Sequence, residues 1–323
     1  MKNKAIVILD KNGNTEIQER DMPQPREDQE LLHVKACGIC QSDIARFSKG
    51  GAHVYPLVIG HEFAGVSNGK RYSVFPLIPC NECDACKSRR FAQCEKYSYY
   101  GSRQDGGMQE YIAINKWNLI DGGGLSYEQL ATAEPCSVAN NITTRLDNVD
   151  HRTILLNGCG FISLVTAQIL AWRGAKIYFR NRNKTKLEFA EKKFGFQPWQ
   201  EGDKFDTAID FVFNTESMDF ILNNISSFGK VICVGNPQGD VSLSKQACHL
   251  ILAKELKVSG IWNSIYDDWE TTINLMKWRV IDVEPLITNI YDFKDYKKAF
   301  ENILENQRNP KSLIIKSMLF SNA

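Results

Sequence analysis

The sequence has no excess of charge of one sign and no long apolar run. Its 323 residues include 39 basic and 38 acidic side chains, which give a formal net charge of +1. A nearly neutral chain argues against a nucleic-acid binder, because such proteins gain affinity mainly by neutralising phosphates. Every apolar run falls short of the ~18 residues that a membrane-spanning helix needs, and the first run, AIVIL, is too short for a secretion signal. We therefore expect a soluble cytoplasmic protein that binds neither nucleic acid nor membrane.

The sequence also lacks internal repeats and low-complexity segments. Its pattern of predicted secondary structure changes near residue 150. Up to about residue 120, short β-like runs are separated by glycine and proline, which is typical of an irregular β-rich domain. From Arg152 onward, buried strand patterns alternate with helical patterns, as in RTILLNGCG followed by FISLVTAQILAWRG. This alternation predicts a doubly wound parallel sheet. The tail after residue 266 does not continue the pattern, and we assign it to the first domain.

The cysteines are unusually concentrated. Four of the ten fall within fifteen residues with the spacing C-x2-C-x2-C-x7-C, namely Cys80, Cys83, Cys86 and Cys94. In a reducing compartment such clusters are metal sites more often than disulfides. Four thiolates complete the tetrahedron of a structural zinc ion and leave no position for substrate. An iron–sulfur cluster is the alternative, although the ferredoxin spacing has a shorter last gap that is followed by proline.

Two further motifs, ACGICQSD and GHEF, precede the cysteine lobe. Alone, they leave Cys37 and Cys40 as a possible redox pair and His61 as an ordinary histidine. In one order with the cysteine lobe and a dinucleotide-type sheet, however, they make the chain resemble the zinc-containing medium-chain alcohol and polyol dehydrogenases. The resemblance covers nearly the whole chain and implies an α/β protein with three segments. These are a GroES-like β-rich catalytic domain over residues 1–137 with a zinc lobe at 80–94, a Rossmann NAD(P)-binding domain over 138–265, and a return of 266–323 to the catalytic domain.

The resemblance also implies a catalytic metal site. The expected ligands of this zinc ion are Cys40, His61 and Glu134, the glutamate of AEPCSVA, with Glu62 able to move on and off the metal. One thiolate, one imidazole and one carboxylate leave an open position, as a catalytic zinc ion requires. Together with the cysteine lobe, this gives an expectation of two Zn2+ ions per chain.

The implied reaction is hydride transfer between a secondary alcohol and a nicotinamide ring, with zinc as the Lewis acid. In the family pattern Ser42 takes the substrate proton, and Asp43 orients the ring of His61. Some alcohol dehydrogenases carry a relay histidine five residues after the zinc cysteine, where this chain has Ala45. We therefore expect the proton to pass from Ser42 to water or to the cofactor ribose.

The turn GCGFIS lies between a strand pattern and a helix pattern, which is the context of a dinucleotide-binding turn. Its candidate cofactor-binding residues are Gly158, Gly160, Phe161 and Ile162. The first two glycines allow the tight turn and the close approach of pyrophosphate. Ser163 replaces the third glycine, which mainly serves helix packing, and is small enough for that role.

The second strand of this domain ends in a basic run, KIYFRNRNKTK. The position at which NAD enzymes carry an acid is Asn181, and Arg180 and Arg182 flank it. Arg182 and Lys186 match the basic positions of NADP-preferring relatives. Because arginine pairs with a 2′-phosphate that an acid would repel, we expect NADP(H) to be favoured over NAD(H). A solvated basic turn is the alternative.

The stretches KGGAHVYPLVIGHEFAG and GSRQDGG resemble those of polyol-phosphate dehydrogenases within the family. We predict a substrate with a secondary hydroxyl on a polyol or polyol phosphate. A distal phosphate would meet one or two of four basic side chains, or these are ordinary surface charges: Arg46, Lys49, His53 and Arg103. The alternatives are an NADPH-dependent reductase of another keto-sugar phosphate, a general alcohol dehydrogenase and a non-catalytic zinc-binding relative. Zinc-free quinone reductases of the superfamily lack both the cysteine lobe and GHE.

The family pairs its nucleotide domains edge to edge, so the chain is expected to form a homodimer or homotetramer. The strand sequences KVICVG and LKVSGIW are the candidates for the exposed edge, which would stay unpaired in a monomer.

Overall fold

The computed structural model describes residues 2–308 and 312–320. Contacts divide the chain into a first unit, Met1–Ser137 with Ser264–Ala323, and a second unit, Val138–Asn263. Residues 309–311 and 321–323 of the tail that we assigned to the catalytic domain lie outside the described part. Within the described residues, no helix has the length and apolar character needed to cross a membrane.

Strands dominate the first unit, whereas strands and helices alternate in the second. The strands are β1 (Lys2–Ile8), β2 (Thr15–Asp21), β3 (Gln29–Gly38), β4 (Leu57–Val58), β5 (Glu62–Ser67), β6 (Lys70–Val74), β7 (Leu77–Ile78), β8 (Ser98–Tyr99), β9 (Tyr111–Asn115), β10 (Leu119–Asp121), β11 (Thr153–Asn157), β12 (Lys176–Arg180), β13 (Gln197–Pro198), β14 (Phe205–Asp210), β15 (Ile225–Cys233), β16 (Lys257–Gly260), β17 (Ile287–Asp292) and β18 (Lys316–Phe320). The α-helices are α1 (Gln41–Lys49), α2 (Asp84–Lys87), α3 (Tyr127–Ala131), α4 (Ala133–Thr144), α5 (Phe161–Trp172), α6 (Lys184–Phe194), α7 (Thr215–Asn224), α8 (Lys245–Ala253), α9 (Asp268–Lys277) and α10 (Tyr296–Arg308).

The largest sheet of the first unit brings three distant segments to one end. Its strand order is β10-β6-β5-β3-β18-β17, and β9 also pairs with β3. Both β5 and β18 run antiparallel to β3, with Glu62 and Met318 opposite Gly38. The residues after β3, at the start of β5 and at the start of β18 therefore lie together. Glycine at position 38 leaves room for the side chain of Glu62, whose own Cβ would lie 3.2 Å from an added Cβ.

Helix α10 holds helix α1, which carries several candidate site residues, against the core of the first unit. Its buried residues Tyr296, Ala299, Phe300 and Ile303 follow the i, i+3, i+4, i+7 spacing of one helical face. The ring of Phe300 stacks on that of Phe47 from α1, with 4.5 Å between centroids. The tail of the chain thus contributes directly to the core of the first unit.

The second unit contains a six-stranded parallel sheet, as the alternating pattern predicted. Its order is β13-β12-β11-β14-β15-β16, so the direction of winding reverses between β11 and β14. In open parallel sheets this reversal marks the place where ligands bind. All four residues of the edge strand β16 are exposed. Of the two strands predicted near the sheet edge, LKVSGIW contains the edge strand β16, whereas KVICVG lies in β15, paired between β14 and β16.

Candidate active site

The four cysteines of the lobe converge as their spacing predicted. One Sγ atom from each of Cys80, Cys83, Cys86 and Cys94 lies within 4.8 Å of the others. The Sγ atom of Cys86 is 3.5 Å from that of Cys83 and 3.9 Å from that of Cys80. Sulfur atoms around a tetrahedral zinc ion are about 3.8 Å apart, given Zn–S bonds of about 2.3 Å. The group therefore fits a zinc ion.

The charge state of the lobe also favours a cation. Backbone N–H groups of Glu82 and Cys83 lower the pKa of Cys80 to about 6, which favours its thiolate. Burial, together with the neighbouring thiol of Cys83, raises the pKa of Cys86 to about 12. Cys80 and Cys86 therefore differ in how readily their thiols ionise when no cation is bound. A bound zinc ion would stabilise the four thiolates at once.

A second group lies where β3, α1 and β5 meet. Cys40 is the N-cap residue of α1, His61 directly precedes β5, and Glu62 begins it. One possible ligand atom from each lies within 4.8 Å of the other two. His61 and Glu62 are buried, and Cys40 is partly exposed. A thiolate, an imidazole and a carboxylate form a donor set that suits zinc.

Asp43 lies behind His61. Its fully buried carboxylate has Oδ1 at 3.6 Å from Nδ1 of His61, while Oδ2 accepts a hydrogen bond from the backbone N–H of Cys40 at 3.2 Å. Burial disfavours ionisation of Asp43, yet His61 and Arg46 hold the pKa of its carboxyl below the ordinary value. Burial also disfavours the charged imidazole, but Asp43 and Cys40 raise the pKa of His61 well above its ordinary value. The pocket thus attracts a cation, and Nε2 of His61 is the nitrogen that can bind it.

Glu62 makes a buried ion pair that the motifs did not reveal. Nζ of Lys316, at the start of β18, lies 2.8 Å and 2.6 Å from the two carboxylate oxygens of Glu62. Burial opposes the charge of Lys316, but Glu62 and Cys40 raise the pKa of its ammonium. The carboxylate of Glu62 thus binds this ammonium. A lysine that ends the apolar run SLIIK was the only sequence signal for such a partner.

Glu134 lies near this group but is not part of it. It is buried in the first turn of α4, and one of its carboxylate oxygens accepts a hydrogen bond from Oη of Tyr99 at 3.1 Å. Burial raises the pKa of Glu134 to about 7, although the charge of His61 opposes the shift. Its carboxyl is therefore within electrostatic range of His61 but does not join the ligand atoms of Cys40, His61 and Glu62. Sequence reasoning did not identify Tyr99.

Arg46 is already engaged, in contrast to its predicted role as a phosphate anchor. Nη1 donates to Oγ of Ser42 at 3.1 Å and to Oδ1 of Asp43 at 3.0 Å, and Nη2 donates to Oγ of Ser102 at 3.1 Å. Both terminal nitrogens thus bind groups of the protein. Arg46 therefore contacts the predicted proton acceptor, Ser42, directly.

The other three residues predicted to bind a distal phosphate are less constrained than Arg46. The guanidinium of Arg103 lies over the ring of Tyr97, 4.5 Å from its centroid. Burial and the charges of Arg103 and Arg46 lower the pKa of His53, so these three basic groups lie near one another. Lys49 is exposed in the last turn of α1.

The dinucleotide-type turn of the second unit leaves open space beside its backbone. Gly158 follows β11 with a φ of 110°, which L-residues rarely adopt, and Gly160 is the N-cap residue of α5. A Cβ added at Gly160 would meet nothing within 4 Å, which leaves room for a close-packed ligand. Oγ of Ser163 accepts a hydrogen bond from the N–H of Gly160 at 2.8 Å. Phe161 and Ile162 begin α5, whose N-terminus favours an anion.

The basic residues at and after the end of β12 differ in whether other protein groups already bind their side chains. Arg180 donates to Oδ1 of Asn157 and to Oε1 of Glu216, each at 3.1 Å, so it does not point freely to a ligand. Arg182 is exposed and makes no ion pair with another described residue. Burial lowers the pKa of Lys186, which lies in the first turn of α6. Arg182 and Lys186, the two predicted cofactor-binding cations, thus lie beside the partly exposed Asn181, and the exposed Lys184 lies between them in sequence.

Comparisons with known proteins agree with this architecture. Residues 26–122 match the family described as alcohol dehydrogenase GroES-like domain. The chain is 27% identical to galactitol 1-phosphate 5-dehydrogenase of Escherichia coli (strain K12), with 96% of this chain and 99% of that protein covered. It is 28% identical to L-galactonate-5-dehydrogenase of the same organism, with 90% and 92% covered. The crystal structure of galactitol-1-phosphate dehydrogenase from Escherichia coli superposes with a TM-score of 0.87 at 26% identity, over 98% of this chain and 99% of that one.

The first unit thus contains a match to an alcohol dehydrogenase GroES-like domain and the second a Rossmann-like parallel sheet, an architecture that the chain shares with polyol dehydrogenases. Over nearly its whole length the chain is similar to a polyol-phosphate dehydrogenase and a sugar-acid dehydrogenase, at 26–28% identity.

Proposed function

We propose that the chain is a two-zinc, NADP(H)-preferring dehydrogenase that interconverts a secondary hydroxyl of an anionic polyol with the ketone. The observation that carries the proposal is the convergence of Cys40, His61 and Glu62 in front of the buried Asp43. In this proposal Cys40, His61 and Glu134 hold the catalytic zinc ion, and Glu62 is an exchangeable ligand that Lys316 retains. The first unit is the catalytic domain, its cysteine lobe holds a structural zinc ion, and the second unit binds the nucleotide.

The proton and the hydride leave the substrate by different routes. A zinc ion bound at the catalytic site would act as a Lewis acid on the substrate oxygen. The hydroxyl proton passes to Oγ of Ser42, whose own proton passes to water. A nicotinamide cofactor bound by the second unit would accept the C–H hydrogen with its electron pair, and the alcohol would thereby be oxidised by two electrons. The same groups serve ketone reduction in reverse.

The preference for NADP(H) rests on the charges at the end of β12. Asn181 is neutral where an acid would repel a 2′-phosphate, and Arg182 and Lys186 provide two cations without acidic partners among the described residues. Arg180 has a different role in this proposal, because its bonds to Asn157 and Glu216 fix the loops at the end of the sheet.

We also propose that the substrate carries an anionic group at the end far from the reacting carbon. The names of two relatives indicate oxidation at carbon 5 of a substrate that carries an anion, a phosphate in one and a carboxylate in the other. His53 lies close enough to Arg103 that, after burial, the charge of Arg103 lowers the pKa of His53, and Arg103 has no acidic partner among the described residues. A distal anion bound there, with the exposed Lys49 nearby in sequence, would position the reacting carbon. The phosphate is our first choice, and a sugar acid is the second candidate.

We further propose a homodimer or homotetramer formed through β16. Its four exposed residues leave a strand edge that can pair with a second copy of this chain. Light scattering at micromolar concentration tests this, and a monomer would contradict it.

A substrate panel tests the proposed function. Galactitol 1-phosphate, galactitol, a hexonate and simple secondary alcohols are each assayed with NADP+ and NAD+. We expect the highest kcat/KM for an anionic polyol with NADP+. Equal kcat/KM for neutral and anionic polyols would refute the distal anion site, and the absence of turnover with every secondary alcohol would refute the dehydrogenase assignment. The Arg103→Gln variant should raise KM for anionic substrates alone, whereas Arg20→Gln, at an ion pair with Asp105, serves as a matched arginine control.

A further inference from the structure

Arg46 connects two groups of the candidate active site. It lies on α1 three residues after Asp43 and four after Ser42, and residues at these spacings share one face of a helix. A single nitrogen, Nη1, donates to both Oγ of Ser42 and Oδ1 of Asp43. The other terminal nitrogen reaches Ser102, which precedes Arg103 in the turn after β8. One guanidinium thus ties helix α1 to a separate loop.

The burial of this cluster makes the arrangement rigid. The side chain of Asp43 is fully buried, and that of Arg46 is 13% exposed. Buried charges must be paired and hydrogen-bonded, so neither group can turn away without leaving the other unpaired. Oδ1 of Asp43 also faces Nδ1 of His61 at 3.6 Å. The position of Arg46 is therefore linked to the orientation of the imidazole and of the Ser42 hydroxyl together.

We propose that Arg46 is a positioning residue for proton transfer in this enzyme. The inference rests on the proposed function, because it assigns Arg46 a role through Ser42 and Asp43. Nη1 occupies one lone pair of the Ser42 oxygen, so the remaining lone pair and the O–H are directed to the substrate and to water. The substrate proton goes to that lone pair while the proton of Ser42 goes to water, so no charge accumulates on the hydroxyl.

The charged groups around Arg46 come from several elements. Cys40 and Asp43 lie at the start of α1, His61 lies before β5, and His53 and Arg103 lie in the loops after α1 and β8. Asp43 is the carboxylate that Arg46 contacts, and His53 and Arg103 are both basic. This distribution explains why Arg46 turns to Ser42 and Asp43, and it leaves the distal anion to Arg103 and His53.

The two possible roles of Arg46 predict different kinetics. A phosphate anchor acts on binding, so its loss raises KM for phosphorylated substrates and leaves neutral polyols unaffected. A positioning residue acts on the proton transfer, so its loss lowers kcat equally for neutral and phosphorylated polyols. General acid–base groups contribute about 10²–10⁴-fold to rate. Misplacing Ser42 should remove part of that, about ten- to a hundredfold.

The test compares Arg46→Met, Arg46→Lys and Ser102→Ala with wild-type enzyme, and Lys298→Gln on the exposed face of α10 is the control for loss of one positive charge. We measure kcat and KM on neutral and phosphorylated polyols, the solvent deuterium isotope effect on kcat, and the rate at which a chromophoric chelator removes zinc. Arg46→Met should lower kcat about ten- to a hundredfold on both substrates and raise the solvent isotope effect, because Ser42 is misplaced. It should also accelerate zinc removal, because Asp43 no longer fixes His61. Arg46→Lys should recover part of each effect, Ser102→Ala should give a smaller loss, and Lys298→Gln should match wild type.

Three results would overturn the inference. These are an unchanged kcat with neutral polyols in Arg46→Met, an unchanged solvent isotope effect, or zinc removal at the wild-type rate. If Arg46→Met does not fold, Arg46→Lys and Ser102→Ala give the same readouts, and wild-type values in both would also overturn it. Failure of the proposed function is distinguishable, because wild-type enzyme would then show no turnover while the zinc-removal rates still report on the contact between Arg46 and Asp43.

Discussion

Replacement of Lys316 by methionine tests the buried ion pair most sharply. The pair has distances of 2.6 Å and 2.8 Å, and the side chains of Lys316 and Glu62 are 7% and 2% exposed. Methionine fills similar volume but leaves the carboxylate of Glu62 buried and unpaired. Breaking a buried pair from one side costs about 3–5 kcal/mol, because the remaining charge has lost its compensation. We expect Lys316→Met to lower the free energy of unfolding by that amount in protein without metal at the catalytic site.

The double variant Glu62→Gln/Lys316→Met distinguishes two contributions to the loss of stability, which are the unpaired charge of Glu62 and the lost packing of the lysine side chain. A buried amide without a partner costs about 1–3 kcal/mol, so the double variant should recover about 2 kcal/mol of the loss. In the zinc-loaded protein, Glu62 is free to bind the metal, so the single variant should lose less stability and turn over more slowly.

Urea titration followed by tryptophan fluorescence measures these differences, and Lys298→Met at an exposed position is the matched control. A loss below about 1 kcal/mol in Lys316→Met, or a double variant no more stable than the single one, would refute the reasoning.

Three further predictions concern the zinc sites and the cofactor. Cys83→Ser should retain one zinc ion per chain instead of two and lower the melting temperature, because the lobe loses folding energy that the metal supplies. Arg182→Asp should abolish or reverse the preference for NADPH, measured as the ratio of kcat/KM values, since a charge-assisted bond contributes about 1.5–3 kcal/mol, or about ten- to a hundredfold. Because burial raises the pKa of Glu134 to about 7, zinc must displace a proton below that pH. The affinity of the catalytic site should therefore fall as pH decreases through about 7, and Glu134→Gln should weaken this dependence.

A specific result would contradict each of these three predictions. Two zinc ions retained by Cys83→Ser would contradict the lobe assignment. Equal use of NADPH and NADH by wild-type enzyme would show that the turn around Arg182 is only surface. Zinc affinity with the same pH dependence in Glu134→Gln would remove Glu134 from the ligand set.

The fold followed from local patterns. The parallel sheet was predicted because strand and helix periods alternate in the second unit, and each βα step is local in sequence. The convergence of the lobe cysteines was predicted because their spacing confines them to one short segment. Helix α10 shows the same principle, since its buried face is readable from its spacing alone.

The pairing of Glu62 with Lys316 could not be read in this way, because the two residues are 254 positions apart and meet only through the register of β3 with β5 and β18. The hydrogen bond of Arg180 to Asn157 could not be predicted either, because it depends on the pairing of β11 with β12. The role of Arg46 was readable in principle. Its spacing from Ser42 and Asp43 on a helix brings the three side chains together, but the arginine was interpreted as a phosphate anchor or a surface charge.

The most direct test of the account measures NADPH formation by zinc-loaded protein with galactitol 1-phosphate and NADP+. Wild-type enzyme is compared with Cys40→Ser and with Cys248→Ser, which alters an exposed cysteine of the second unit. The account predicts that Cys40→Ser remains folded and loses turnover, while Cys248→Ser keeps it. Wild-type turnover in Cys40→Ser would contradict the central claim that hydride transfer depends on the group formed by Cys40, His61 and Glu62.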